Sequence, residues 1–388
     1  MLQRRTFLAA GVIFTTVASF SGLTPTLAQS GGRRKLLFII QRGAADGLAE
    51  LAPIGDPHFS SLRGRLLEEA ESGFALDDMF SLHPALTNIA ALYRQGDAAF
   101  VHATASAYRN RSHFDGQNVL ETGGAEPYAV KTGWLNRLTA LLRAAQPSVP
   151  VPAVALSQDI PMALRGPAET SSFTPSRLPE PDSDFLERVE RLYGDHPALA
   201  AALQTGNATR EMAGDAKPVN PRDSKASGAL MARLMSGADG ADIAMVETSG
   251  WDLHANSPRR MRQVLSRLDG MVEGFRSGMG DSWRNTLVII ATEFGRSAAI
   301  NGTNGTDHGT GGVMMLLGGT VRGGRVYSDW PGLSNSQLLD GRDLRPTIAQ
   351  ESAISGAIAA HFGLDSQRLQ SELFAHVSGS RPYFGLVA

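Results

Sequence analysis

The chain has 388 residues, 42% of them hydrophobic and 19% charged, a balance that suits a globular protein and excludes a disordered one. With a formal charge of −2, nothing in the composition suggests a nucleic-acid binder, which would normally show a basic stripe, and no nucleic-acid partner is expected. There is no cysteine, so a core of this size must hold without disulfides.

Residues 1–28 read as an export leader. Arg4-Arg5-Thr6-Phe7-Leu8 opens an apolar run to Leu23 that is too short and too polar for a membrane span, and Thr26-Leu27-Ala28 offers a small-residue cleavage site. The paired arginines predict a twin-arginine signal rather than an ordinary secretory signal or anchor. The translocase is then a partner during export, no stable membrane anchor remains after cleavage, and the mature protein is periplasmic or secreted. Losing Arg4 and Arg5 takes its formal charge to −4.

Residues 29–388 are expected to form one α/β domain. Continuous apolar runs predict strands over 35–41, 98–102, 151–156, 242–247, 286–292 and 313–317. Helical spacing predicts helices over 83–94, from about 112, and over 184–193, 197–204, 224–235, 258–275 and 347–362. A Pro/Ser-rich stretch near 157–182 reads as an irregular excursion. Alternating strands and helices predict a mostly parallel central sheet with helices on both faces.

Five short segments follow predicted strands or lie beside them. They are Arg42-Gly43-Ala44-Ala45-Asp46-Gly47, Arg111-Ser112-His113-Phe114-Asp115, Gly250-Trp251-Asp252-Leu253-His254, Thr292-Glu293-Phe294-Gly295-Arg296 and Asp307-His308-Gly309. In an open α/β sheet the loops after strand C-termini converge on one crevice, so carboxylates and imidazoles this far apart in sequence could share one divalent ion.

Each candidate also has a plainer role. Asp46 could ligate a metal or simply make an Asp-Gly turn. Asp252 and His254, two apart in extended chain, point the same way and could bind one ion, or Asp252 could cap the helix that follows. Glu293, at the end of a buried strand, needs a metal or a partner such as Arg296. His308 lies in a Gly-rich stretch that either lets backbone approach a ligand, with Asp307 as its support, or is a plain flexible loop. Ser112 sits at a predicted helix N-terminus, as a cap or as a nucleophile for phosphate or sulfate esters, with Arg111 to clamp the anion. His102, at a strand end, is a candidate wall of the site. No Gly-x-Ser-x-Gly elbow is present, which argues against a serine hydrolase of that type.

The segments 42–48, His83-Pro84-Ala85-Leu86, 111–114, 250–254, 292–296 and 307–309, in this order, resemble the exported bacterial family known as domain of unknown function 1501. That family is similar to the alkaline phosphatase and sulfatase superfamily. The resemblance implies an alkaline-phosphatase-like sandwich with metals beside a nucleophile. Asp46 matches the superfamily's early aspartate, Asp252 and His254 its Asp/His pair at closer spacing, and His308 its late histidine. Phe294 stands where the superfamily has a metal-binding histidine, and Ser112 lies in a different local motif from its nucleophile.

The expected site thus comprises Asp46, Asp252, His254, Glu293 and His308 around one or two divalent ions (Zn, Mn or Ca), with Ser112 and Arg111 as catalytic groups and Arg296 as a further neutralising charge. The expected function is a metal-dependent hydrolase of phosphate or sulfate esters acting on a small-molecule or glycan ester. The alternative is a non-catalytic exported protein that keeps the fold to bind a ligand or a partner.

Overall fold

The computed structural model describes residues 32–147, 152–176, 181–214, 220, 223–377 and 381–388. The expected leader, 1–28, and parts of the Pro/Ser-rich stretch lie outside the described residues.

A nine-stranded sheet runs through the centre. Its order is Arg325–Tyr327, Ala98–Ala105, Gly312–Leu317, Thr286–Ala291, Lys35–Arg42, Ile243–Ser249, Ala153–Leu156 and Ser171–Phe173, with Ile348–Ala349 also paired to Ala98–Ala105. Gly312–Leu317 is antiparallel to both neighbours, and the remaining pairings are parallel. The protein is therefore an α/β fold with a mostly parallel sheet, as the alternation of elements predicts.

The first strand shows why its sequence is apolar throughout. Leu37 and Ile39 enter one core, with the helices Thr87–Gln95, Ser224–Met235 and Ser257–Met279. Leu36, Phe38 and Ile40 enter the other, with Trp134–Ala145, Gln350–Phe362 and Ser366–Leu373. Both faces are buried, and each such side chain contributes roughly 1.5–3 kcal/mol. Among the described residues no helix is long and apolar enough to cross a membrane.

Most expected elements form with small shifts. The helix expected from residue 83 starts at Thr87 instead. Its first turn is fixed by the buried carboxylate of Asp269, which accepts from the amides of Asn88 and Ile89 and from the Thr87 hydroxyl. The helix expected over 197–204 runs on to Ala213. The helix Trp134–Ala145 is missing from the expected set. Within the excursion, Ser171–Phe173 adds the edge strand beside Ala153–Leu156.

His102 does not line the site. It is fully buried, with its ring centroid 5.2 Å from that of Phe80 and 5.0 Å from that of Trp330. Its Nε2–H donates to the Leu51 carbonyl at 2.9 Å and its Nδ1 accepts from the Ala103 amide at 2.7 Å. Burial pushes its pKa down to about 4, and that of His361 down to about 3. Both take a proton near pH 6.5 in the unfolded chain and only far lower in the native one. Their contribution is therefore complete above about pH 6.5 and is lost as pH falls toward about 4. Denaturation midpoints at about pH 7, 5.5 and 4.5 should drop across this window, whereas a flat profile would mean that these imidazoles titrate normally.

Candidate metal centre

The sheet register brings the loops together. Arg42 is level with Ser249, and Ile40 with Ala291, so the chain leaves three parallel strands at one end. The antiparallel strand enters at that same end, and the segment 307–311 lies just before it. The loop after Ala98–Ala105 leads to the helix His113–Thr122. Close approach needs glycine at two points. Gly43 has φ +119°, and a Cβ there would sit 2.6 Å from the Asp252 nitrogen. A Cβ on Gly309 would lie 2.2 Å from the Arg296 carbonyl carbon.

Asp252 Oδ1 is the hub. It lies 2.9 Å from His254 Nε2, 3.3 Å from His308 Nε2 and 3.5 Å from His113 Nε2. His254 Nε2 and His308 Nε2 are 3.0 Å apart. Among the described residues, His113, Asp252 and His308 form a group whose ligand atoms all lie within 4.8 Å of one another. The structure thus brings together three of the expected ligands, Asp252, His254 and His308, and adds His113.

The outer nitrogens set the tautomers. His308 Nδ1 must donate to the Arg111 carbonyl, at 2.9 Å, because a carbonyl can only accept. His113 Nδ1 donates to Glu293 Oε1 at 2.8 Å. In the neutral rings both Nε2 lone pairs then point inward. Burial, with Arg296 and His113 close by, lowers the pKa of His308 and so favours its neutral ring. The hydrogen bond to Glu293 raises that of His113 against its desolvation. Desolvation is the largest single influence on Asp252 and opposes its charge, but the hydrogen bond and charge of Arg296, with His254 and His113 nearby, together outweigh it and hold the carboxyl at about 2. Desolvation of Glu293 is likewise overcome by His113, the Gly43 amide and Gln117, which leave its pKa below the ordinary value.

The other expected residues stand elsewhere. Asp46 is buried: its Oδ2 is in an ion pair with the wholly buried Arg63, and its Oδ1 has no hydrogen-bond partner. Glu293 stands behind His113: its oxygens accept from His113, Gly43, Gln117 and Thr292. Neither belongs to the group that meets at Asp252. The anticipated Glu293–Arg296 pair does not form, because Arg296 reaches Asp252 instead. Arg111 is paired with the buried Asp343 at 2.7 Å, and the Arg296 side chain is wholly buried, so neither is a free anion clamp. Ser112 is the N-cap of His113–Thr122, yet its side chain makes no capping hydrogen bond. Phe294 stacks on His113 with centroids 5.1 Å apart, an apolar wall where the resemblance places a ligand.

The donor set fits a metal ion. His113 Nε2 is buried with no hydrogen-bond partner. His308 Nε2 and Asp252 Oδ1 are two acceptors facing each other, an arrangement that a cation between them satisfies. Within this group, Asp252 Oδ1 lies 3.3 Å from His308 Nε2 and 3.5 Å from His113 Nε2, close to the edge of about 3.3 Å of a tetrahedron with zinc–ligand arms of about 2.0–2.1 Å.

Fold and site together define an α/β protein with a histidine-rich candidate metal centre at one end of its sheet. The chain belongs to the family described as protein of unknown function (DUF1501), whose model matches residues 55–373. No curated protein matches it. Solved structures similar to it include the C-terminal periplasmic domain of EcEptC from Escherichia coli in complex with Zn, at 7% identity and TM-score 0.37 over 74% of each chain. Alkaline phosphatase from the Antarctic bacterium TAB5 is similar at 14% identity and TM-score 0.35, over 76% of this chain and 94% of that one. Phosphonate monoester hydrolase from Silicibacter pomeroyi is similar at 11% identity and TM-score 0.36, over 89% and 78%. Likeness at this level concerns the fold alone and says nothing of activity.

Elemental analysis of the purified protein should find about one equivalent of divalent metal, lost in His113→Ala and His308→Ala without unfolding, and lost in Asp252→Ala together with stability, because that change removes the counter-charge of buried Arg296. Asp46→Ala should keep the metal but lose about 3–5 kcal/mol of stability, because it leaves Arg63 buried and unpaired. Metal loss in Asp46→Ala alone would move the centre to that carboxylate.

Proposed function

We propose that this protein is a metal-dependent hydrolase of phosphate or sulfate esters, exported through the leader at 1–28 and active in the periplasm as one domain. The observation that carries the reading is the pair of facing acceptors, His308 Nε2 and Asp252 Oδ1 at 3.3 Å, with the unpartnered Nε2 of His113 beside them. His113, Asp252 and His308 would hold one ion, with His254 beside Asp252 and His308. Two imidazoles and a carboxylate suit zinc best, and suit calcium, which takes oxygen ligands, least.

When bound, the ion supplies Lewis acidity toward the ester's oxygens. The remaining work falls to the chain. Glu293 holds His113, Arg296 holds Asp252 ionised, and the Arg111 carbonyl holds His308. Ser112 is the proposed nucleophile, or positions the attacking water. Its hydroxyl is not spent on a cap, and the first-turn amides of His113–Thr122 favour an anion beside it. Phe294 covers one face of His113 and keeps water from it.

One observation favours the alternative of a non-catalytic ligand-binding protein: Arg111 and Arg296, the charges expected to offset a transition state, are already paired. Turnover separates the two. With zinc or manganese supplied, a hydrolase should cleave members of a panel of phosphate and sulfate monoesters and diesters. Ser112→Ala should lower kcat by about a hundredfold or more with metal content intact. A metal-loaded parent that turns over no ester would leave the binding reading.

A further inference from the structure

A cavity of about 350 Å³ lies beside the metal centre. The candidate ligands do not line it; Asp307 does, and its Oδ1 is 3.4 Å from His254 Nδ1, on the side of that ring away from Asp252. Arg342 lines it as well, and donates to the His308 carbonyl at 2.7 Å. The size falls at the lower end of the roughly 300–1,000 Å³ typical of small-molecule sites, enough for one ring-sized group.

The lining has two characters. Leu62, Ile300, Leu333 and Leu338 give an apolar side, whereas Ser61, Asn335 and Asp307 give a hydrogen-bonding one. Its cationic or titratable basic groups already face carboxylates: Arg342 is 3.3 Å from Asp343, and His58 is 3.5 Å from Asp56. A second phosphate or sulfate would therefore be desolvated there without a counter-charge. A sugar ring matches such a lining, with C–H groups on its face and hydroxyls around its edge.

We propose that this cavity is the subsite for the alcohol part of the ester, and that it takes a single uncharged sugar ring. The proposal rests on the hydrolase reading for the bond that is cleaved, but ring binding can be measured without turnover. Ser61 and Asn335 are exposed rim positions where a large side chain would block the cavity with little effect on folding.

Ligand-observed NMR with methyl glucoside, methyl galactoside and methyl mannoside should detect binding of at least one to the parent protein, lost in both Ser61→Trp and Asn335→Trp. On esters, the same variants should lower the ratio of kcat/KM for the matching sugar phosphate to that for methyl phosphate by about tenfold, mainly through KM. No glycoside bound by the parent, or binding that survives both substitutions, overturns the proposal. If glycosides bind as expected and no ester is cleaved, the subsite stands as a sugar site and the hydrolase reading falls.

Discussion

One buried guanidinium holds the functional end of this protein together. Arg296 donates to the carbonyls of Ala44 at 2.8 Å, Thr306 at 3.0 Å, Gly43 at 2.7 Å and Trp251 at 3.3 Å, as well as to Asp252. Burying such a charge costs several kcal/mol unless its donors are satisfied, and Asp252 supplies the only formal counter-charge among these acceptors. Loops from four parts of the chain must therefore close around it in one geometry. Strain is tolerated within that geometry: Ala44 and Arg111 sit at φ 59° and 60°, a region that L residues rarely adopt.

The same arrangement fixes what the candidate ligands can do. A histidine becomes a dependable ligand only when its other nitrogen is committed, and here the commitments differ. Glu293 gives His113 a charged acceptor, whereas the Arg111 carbonyl gives His308 a neutral one. Arg111 reaches that position because its side chain is anchored to Asp343 while its backbone turns through a left-handed conformation. The residues expected to act on an anion thus work through the backbone and through ion pairs that shape the loops.

Much of this was legible in the sequence because of how a parallel sheet is built. Strands buried on both faces are continuously apolar, so 35–41, 242–247 and 286–292 stand out, and parallel strands deliver their following loops to one end. Asp252, His254 and His308 could be singled out on that basis. What could not be read is which buried carboxylate meets which cation. The partner of Asp46 is Arg63, on a short helix whose sequence gives no sign of it, and Glu293 serves a histidine 180 positions away. His113 did carry a signal: it is the first residue of a helix whose cap, Ser112, was already singled out. Side chains at a helix start face the crevice as readily as the cap does. Trp134–Ala145 also carried one, since Trp134, Leu135, Leu138 and Leu142 have helical spacing and are all buried.

The reversed direction of Gly312–Leu317 bears on how the protein is made. This strand slots between Thr286–Ala291 and Ala98–Ala105, and its pairing with the latter joins segments about two hundred residues apart, so that pairing has high contact order and is paid for by a long loop closure. His308 arrives only with that closure. A chain emerging from the ribosome can present His113, and later Asp252, long before the last imidazole is in place. The full set of candidate ligands therefore exists only once Gly312–Leu317 has been inserted, and not in any earlier intermediate.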